Sequence, residues 1–304
     1  MAPLVSGWPP QDDESGEIAP LLDLRPAASY AACRLRGSYS MPWPWSKHGR
    51  LFSVLPPRGV TIRIYSNSET TLQDCVMTLS KVGYLFAGVH LLPDLRTLPE
   101  EWLEFGTLAS PRLLWQPNPV LQQHWESIEE ILPVPDKNVF VDFACGGGRD
   151  VVFALSRARS RFALGIGLER KLPMLRRMEI LGAQCGLPTH LSLQGSVGGM
   201  EDWWPCSNSE GPRLIAAQVD CRDKESLHKA APIGAASVLN VARYKDVRLW
   251  PSLRRLVRLG GVVAYHHFMV GSFRPYSRAK LLEPGELARE FGPRHGFEVL
   301  VDDV

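Results

Sequence analysis

The sequence lacks several features that mark specialised classes of protein. Its 304 residues contain no apolar run of about 18 residues, the length that a membrane-spanning helix requires. Its six cysteines are widely separated and include no C-x-x-C pair, which excludes a dense disulfide framework and predicts reduced thiols in a cytoplasmic protein. The formal net charge is only +2, so overall charge does not favour a nucleic-acid partner. No cluster of metal-ligand residues, internal repeat or low-complexity tract is visible.

The remaining composition is typical of a globular protein with two domains. Hydrophobic residues make up 45% of the chain and charged residues 22%. The first 17 residues are acidic and rich in proline, so they predict a flexible tail and not a targeting presequence. Strand and helix patterns alternate along the chain after this tail, which predicts an α/β fold with parallel sheets.

The most informative stretch is the decapeptide V-D-F-A-C-G-G-G-R-D, from Val141 to Asp150. An apolar run there predicts a buried strand with Asp142 at its carboxyl end, followed by a glycine-rich turn and a helix. The next strand, Phe162–Leu168, ends at Glu169, about 20 residues past the glycines, where a carboxylate can hydrogen-bond both hydroxyls of a ribose. The spacing therefore predicts a nucleoside-binding site.

The composition of the turn favours one cofactor among the nucleosides. The turn lacks a clean G-x-G-x-x-G, and it begins with Asp142, whose carboxylate would repel a pyrophosphate and attract an amino group. S-adenosylmethionine carries an amino group and no phosphate. We therefore predict S-adenosylmethionine as the cofactor.

Five stretches occur in an order that is typical of one enzyme family: L-W-Q-P-N-P, D-F-A-C-G-G-G-R-D, V-A-R-Y, A-Y-H-H-F-M-V-G and L-L-E-P-G-E-L. With them, the chain from about Ser110 onward resembles the class I S-adenosylmethionine-dependent methyltransferases, and in particular the tellurite-resistance type found behind rhodanese domains. The resemblance implies a Rossmann-like sheet. It also implies a set of cofactor-binding residues: Asp142, Ala144, Gly146, Gly148, Glu169 and Ser196. Ser196, after a predicted third strand at Leu191–Leu193, stands where these enzymes usually place an acidic residue for the adenine amino group.

Candidate catalytic residues follow the predicted fourth and fifth strands, because open α/β sheets bind ligands at the carboxyl ends of their strands. They are Arg243, Tyr244, His266 and His267. The arginine could hold an anionic substrate, and a histidine could accept a proton. The structural alternatives are a surface arginine, a tyrosine packed by its ring and a histidine pair that caps a strand. A last strand is predicted at Phe297–Val301.

The segment from Leu21 to Trp43 reads L-L-D-L-R-P-A-A-S-Y-A-A-C-R-L-R-G-S-Y-S-M-P-W. Because of this segment, the first hundred residues resemble a rhodanese domain. A sulfur-transferring rhodanese has a cysteine directly after the next strand, and this chain has Ser66 there. A serine hydroxyl cannot carry sulfane sulfur, and the loop after it has a carboxylate and no basic residue. We therefore predict a catalytically silent rhodanese-like domain over residues 18–105, with the methyltransferase-like domain over residues 106–304.

The function predicted from the sequence is methyl transfer from S-adenosylmethionine to a small molecule, which the resemblance suggests is a thiol or a chalcogen compound. The first alternative is a non-catalytic binding or scaffold protein that retains both folds. The second is a sulfurtransferase, which Ser66 disfavours. Besides the small-molecule acceptor, two partners are open: a second copy of the chain, or another protein that contacts the rhodanese-like domain. No membrane partner is predicted.

Overall fold

The computed structural model describes residues 19–43, 55, 61–106, 112–132, 138–157, 161–193, 213–271 and 277–302. It divides the chain into two compact units, Met1–Trp115 and Gln116–Val304. The division lies beyond the boundary predicted near Gly106, because Arg112 forms an ion pair with Glu104 and so belongs to the first unit. The predicted tail over residues 1–17 lies outside the described residues.

The first unit contains a parallel sheet and a small antiparallel pair of strands. Its elements are β1 (Leu21–Asp23), α1 (Ala27–Ala32), β2 (Cys33–Leu35), β3 (Tyr39–Ser40), β4 (Thr61–Ser66), α2 (Glu69–Ser80), β5 (Leu85–Leu91) and β6 (Leu103–Phe105). The parallel sheet has the order β3-β1-β4-β5, and β2 pairs with β6 in the antiparallel sense.

Helix α2 follows β4 for local reasons that are visible in the sequence. Ser68 is its N-cap, and the side chain accepts a hydrogen bond from the backbone N–H of Thr71. Leu72, Cys75 and Leu79 recur at helical spacing and are buried. The strand and the loop around Ser66 that the sequence predicts are confirmed, and Ser66 is the last residue of β4.

The second unit is built around a sheet of six parallel strands in the order β12-β11-β7-β8-β10-β9. Its elements are α3 (Pro119–Ile131), β7 (Asn138–Phe143), α4 (Arg149–Ser156), β8 (Phe162–Glu169), α5 (Leu172–Gln184), β9 (Thr189–Ser192), β10 (Arg213–Gln218), α6 (Lys224–Ala230), β11 (Ala236–Ala242), α7 (Trp250–Leu256), β12 (Val257–His266) and α8 (Glu286–Glu290).

The two faces of this sheet carry different helices. On one face, Trp125 of α3 packs against Phe140 and Phe162, with ring centroids 6.5 Å and 5.9 Å apart. On the other, Val141 belongs to a buried cluster with residues of α6 and α7, including Leu253. Successive strand residues alternate between faces, so Asp142 lies on the face of Phe140 and α3. The predicted α/β class with parallel sheets is confirmed.

The order of the strands places a crevice at the end of β7. From β7 the chain continues to β8 on one side, and later returns to β11 on the other side. In open α/β sheets such a reversal of strand order opens a crevice at the carboxyl ends, where ligands bind. The glycine-rich turn begins at this point.

Of two strand predictions in the second unit, the third strand is confirmed as β9 and the last strand is wrong. The strand beside β8 is β10, which was not predicted, whereas the segment predicted as the third strand forms β9 at the edge of the sheet. The segment Phe297–Val301 forms no strand, since it pairs with no other described strand and leaves Leu300 58% exposed. Among the described residues, no helix is both long enough and apolar enough to cross a bilayer.

Candidate cofactor site

The turn after β7 combines an open surface with tight packing. Ala144, Gly146 and Gly148 all have positive φ, at 54°, 55° and 75°. A Cβ atom added to Gly146 would meet nothing within 4 Å, whereas one added to Gly148 would overlap the Met178 side chain of α5. Gly148 therefore allows the turn to pack on α5, and Gly146 leaves the backbone open to a ligand. Ala144 is a non-glycine residue in the left-handed region, which is a strained backbone state typical of functional sites.

Asp142 is buried at the base of this turn and is only partly hydrogen-bonded. It is 2% exposed, and its Oδ1 accepts a hydrogen bond from Nδ2 of Asn240 at 2.7 Å. Its Oδ2 is also buried and has no hydrogen-bond partner among the described residues. A buried carboxylate oxygen without a partner is costly in free energy, so a donor from outside the described residues would stabilise it.

A second buried carboxylate, Asp150, lies beside Asp142. It belongs to the first turn of α4 and accepts hydrogen bonds from the backbone N–H of Asn118 at 2.8 Å and from the Asn118 side chain at 3.0 Å. Nδ2 of Asn240 also lies 3.2 Å from Asp150 Oδ2. Asn118 is the N-cap of α3, so the L-W-Q-P-N-P segment is joined to the turn through this carboxylate.

The electrostatics of this pair favour a positively charged ligand. Burial raises the pKa of Asp142 well above its ordinary value, and the charge of Asp150 raises it further. The hydrogen bond from Asn240, a weaker interaction with the backbone N–H of Val151 and the charge of Arg149 oppose this shift in pKa. A cation at the free Oδ2 would stabilise the ionised form of Asp142.

Two more carboxylates follow the neighbouring strands β8 and β10. Glu169 ends β8 in register with Gln218 of β10, and Asp220 follows two residues later. Glu169 accepts a hydrogen bond from the backbone N–H of Lys171 at 2.8 Å. Arg222 hydrogen-bonds Asp220 and lowers the pKa of that carboxyl to about 2, so Asp220 is ionised at neutral pH.

Asp220 is the acidic residue that sequence reasoning missed. Ser196, the residue predicted to face the adenine amino group, lies outside the described residues, so its role stays a prediction. Because β10 is the strand beside β8, the position beyond its carboxyl end belongs to Asp220. The signal was present in the run R-L-I-A-A-Q-V-D from Arg213 to Asp220, an apolar stretch that ends in a carboxylate.

The ends of β11 and β12 bring Arg243 and His266 together. The backbone N–H of Arg243 donates to the carbonyl of His266 at 2.7 Å, and Arg243 has a φ of 57°, again in the left-handed region. His266 aligns with Ala242, two positions past Asn240, so its side chain lies on the face of Asp142. Burial and the charge of Arg243 lower the pKa of His266, so its imidazole is neutral at neutral pH and can accept a proton.

Tyr244 and His267 lie away from the carboxylate pair. The Tyr244 ring packs edge to face on Phe143, with centroids 5.3 Å apart, on the opposite face of the sheet from Asp142. Nε2 of His267 lies 2.6 Å from the carbonyl oxygen of Lys280, and burial lowers the pKa of this imidazole. The contact of Tyr244 corresponds to the alternative of a tyrosine packed by its ring, and the catalytic roles of both residues stay predictions. Among the described residues, no group of three or more His, Cys, Asp or Glu side chains could hold a metal ion.

Comparison with known proteins gives distant likenesses. No family model matches the chain. The chain is 26% identical over 188 residues to the uncharacterized protein UNK4.09 of Schizosaccharomyces pombe, a match that covers 57% of this chain and 52% of that protein. The chain thus spans about half the length of the curated relative it matches.

Among solved structures, the chain is similar to the antibiotic-resistance methyltransferase Kmr. The sequence identity is 16%, the TM-score is 0.30, and the match covers 59% of this chain and 87% of that chain. This likeness is too distant to bear on the activity, so any functional assignment depends on the geometry of the site.

Proposed function

We propose that residues 116–304 form a class I methyltransferase unit that binds S-adenosylmethionine and transfers its methyl group to a small molecule. The observation that carries the proposal is the buried Oδ2 of Asp142, which lacks a partner among the described residues and lies beside a turn that is open at Gly146. Asp142 would bind the cofactor's amino group, since a carboxylate is the natural acceptor for an ammonium.

The carboxylates after β8 and β10 fit the nucleoside part of this cofactor. In the proposal, Glu169 binds the ribose hydroxyls and Asp220 accepts from the adenine amino group. The three acidic residues follow adjacent strands in the order β7, β8 and β10, so they form one row along the carboxyl edge of the sheet. The resemblance to class I methyltransferases predicts such a row.

The bound cofactor would supply a methyl group on a positively charged sulfonium, ready for transfer to a nucleophile. The residues of the chain would mainly orient the two reactants, because methyl transfer depends on alignment more than on acid–base groups. His266 is the candidate to accept a proton from the acceptor, and Arg243 the candidate to bind an anionic group on it. We favour a thiol or a chalcogen compound as the acceptor.

For the first unit we propose a rhodanese-like fold without sulfur transfer. Ser66 stands at the position of the sulfur-carrying cysteine, is 1% exposed, and accepts a hydrogen bond from the backbone N–H of Ser68. Cys75 is buried on α2, and burial raises the pKa of its thiol to about 12, so the thiolate needed for sulfur chemistry is scarce. These observations favour a scaffold or partner-binding role for this unit.

A methyl-transfer assay tests the proposed activity. The purified chain would be incubated with S-adenosylmethionine labelled in its methyl group and a panel of small thiols, selenite and tellurite. We expect label in at least one acceptor, and none with Asp142→Ala. The control Asp223→Ala removes an exposed N-cap carboxylate of α6 and should leave transfer unchanged. Cofactor binding without transfer to any acceptor would instead favour the non-catalytic binding protein.

A further inference from the structure

Two buried amides connect the carboxylates of the proposed cofactor site. Asn240 is fully buried on β11, in register with Asp142 on β7. Its Nδ2 donates to Asp142 Oδ1 at 2.7 Å and lies 3.2 Å from Asp150 Oδ2. A carboxamide nitrogen has two N–H groups, so Asn240 can use one for each carboxylate.

Asn118 fixes the orientation of the Asn240 amide. Its own Nδ2 lies 2.9 Å from Asn240 Oδ1 and 3.0 Å from Asp150 Oδ2. An ionised carboxylate only accepts hydrogen bonds, so the amide edge that faces Asp150 must carry the N–H groups. Asn118 must therefore donate to Asn240 Oδ1, and Asn240 must present its own N–H groups to Asp142 and Asp150.

The chain of amides leaves a defined atom of Asp142 for a ligand. Oδ1 is held by Asn240, while Oδ2 is buried and without a partner among the described residues. Because Asn240 of β11 holds Oδ1 by a hydrogen bond, the carboxylate of Asp142 cannot rotate freely. The orientation of Oδ2 is therefore fixed. A preorganised acceptor of this kind binds a matching donor without a further loss of side-chain freedom.

We propose that Asn240 and Asn118 are positioning residues that orient Asp142 toward the ammonium group of an amino-acid-bearing ligand. Asn240 acts directly on Asp142, and Asn118 acts through Asn240 and Asp150. The inference depends on the proposed function, because it takes the amino-acid part of the cofactor as the group that Asp142 binds. The inference adds that selectivity for the amino-acid part of the cofactor depends on Asn240 and Asn118, neither of which contacts the ligand in the proposal.

Two ligands that differ in the amino-acid part provide the test. S-adenosylhomocysteine carries the ammonium and carboxylate, whereas 5′-methylthioadenosine has the same nucleoside and lacks both. Isothermal titration gives the ratio of the two affinities for each variant. For Asn240→Asp, which replaces the donor by an acceptor facing two carboxylates, we expect binding of S-adenosylhomocysteine to weaken by about tenfold to hundredfold. Binding of 5′-methylthioadenosine should stay within about twofold.

Asn118→Ser and Asn138→Ser complete the series. Serine keeps the N-cap of α3 but lacks the Nδ2 donor, so Asn118→Ser should lower the affinity ratio in the same direction by a smaller factor. Asn138 is a matched control, because it is a fully buried amide at the opposite end of β7 and donates to the carbonyl of Arg161. Asn138→Ser should leave the ratio unchanged.

The outcomes separate this inference from the proposed function. If Asn240→Asp and Asn118→Ser lost affinity for both ligands by the same factor, the amides would only support the fold, and the inference would be overturned. An unchanged ratio in both variants would overturn it as well. If the unaltered chain bound neither ligand, the proposed function itself would fail. Circular dichroism identifies a variant that does not fold, in which case the ratio for Asn118→Ser decides.

Discussion

Replacing Asp142 by asparagine should stabilise the empty protein and abolish selective cofactor binding. Asparagine has the same shape, and its Oδ1 can still accept the hydrogen bond that Asn240 donates to Asp142 Oδ1. The substitution removes a buried negative charge beside Asp150 and places an N–H donor where the unpartnered Oδ2 lies. Stability and binding should therefore change in opposite directions.

The size of the gain in stability follows from the distance between the two carboxylates. Asn240 Nδ2 is 2.7 Å from Asp142 Oδ1 and 3.2 Å from Asp150 Oδ2, so these oxygens are separated by about 6 Å at most. Two unit charges at about 6 Å repel by about 3 kcal/mol at an effective dielectric constant of about 20. The hydrogen bonds from Asn240 offset part of this repulsion, so we expect a gain of about 1 to 3 kcal/mol at a pH where Asp142 is ionised.

The gain should depend on pH in a defined direction. The pKa of Asp142 is raised in the folded protein. A raised carboxyl pKa contributes stability that is present below the unfolded pKa and is lost as the pH rises through the folded pKa. The asparagine variant does not suffer this loss, so its advantage should be absent below about pH 4, grow as the pH rises and be complete above the raised pKa.

Thermal unfolding and titration calorimetry provide the measurements. For a unit of this size, each kcal/mol raises the Tm by about 2 to 4 °C, so we expect a rise of roughly 2 to 12 °C without ligand. Binding of S-adenosylhomocysteine should weaken by more than about tenfold, and binding of 5′-methylthioadenosine should not change. A lower Tm at neutral pH, or an unaltered affinity for S-adenosylhomocysteine, would refute the reasoning.

Three further predictions concern the same row of carboxylates and the first unit. In the unaltered chain, calorimetry should show the affinity for S-adenosylhomocysteine falling as the pH is lowered through the raised pKa of Asp142, while the affinity for 5′-methylthioadenosine stays unchanged. Asp220→Asn should weaken binding of both ligands by about tenfold. Glu169→Gln should also weaken binding of both, but by less than Asp142→Ala weakens binding of S-adenosylhomocysteine. Asp223→Asn should change neither affinity, and equal losses in all three variants would place the site elsewhere. Ser66→Cys should give no robust thiocyanate from thiosulfate and cyanide, because position 66 is 1% exposed; rapid turnover would show that the serine alone silences the unit.

The local part of the site could be predicted from the sequence. The strand, the glycine-rich turn and the helix between Val141 and Asp150 are specified by neighbouring residues, and so is the end of β8 at Glu169. Glycines with positive φ and buried apolar runs are signals of short range, which a single sequence contains. The start of α3 also has a local signal, because an asparagine cap and a proline mark it.

The long-range part could not be predicted in the same way. Nothing local indicates that β10 and not β9 lies beside β8, because strand order in a parallel sheet is decided by how the helices pack. That order is what makes Asp220, which follows β10, a candidate for the site. Asn118 and Asn240 are far apart in the chain and meet only in the folded sheet. The one available signal was the polar residue inside the apolar run V-L-N-V-A of β11, since a buried amide requires partners.

The most direct test of the account is calorimetric titration of the purified chain with S-adenosylmethionine and S-adenosylhomocysteine, repeated on Asp142→Ala. The account predicts micromolar binding of both ligands to the unaltered chain and a loss of more than about tenfold in the variant, as expected for a buried charge-assisted hydrogen bond. Absence of binding by a folded protein, or equal binding by the variant, would contradict the proposed cofactor site and favour a non-catalytic scaffold.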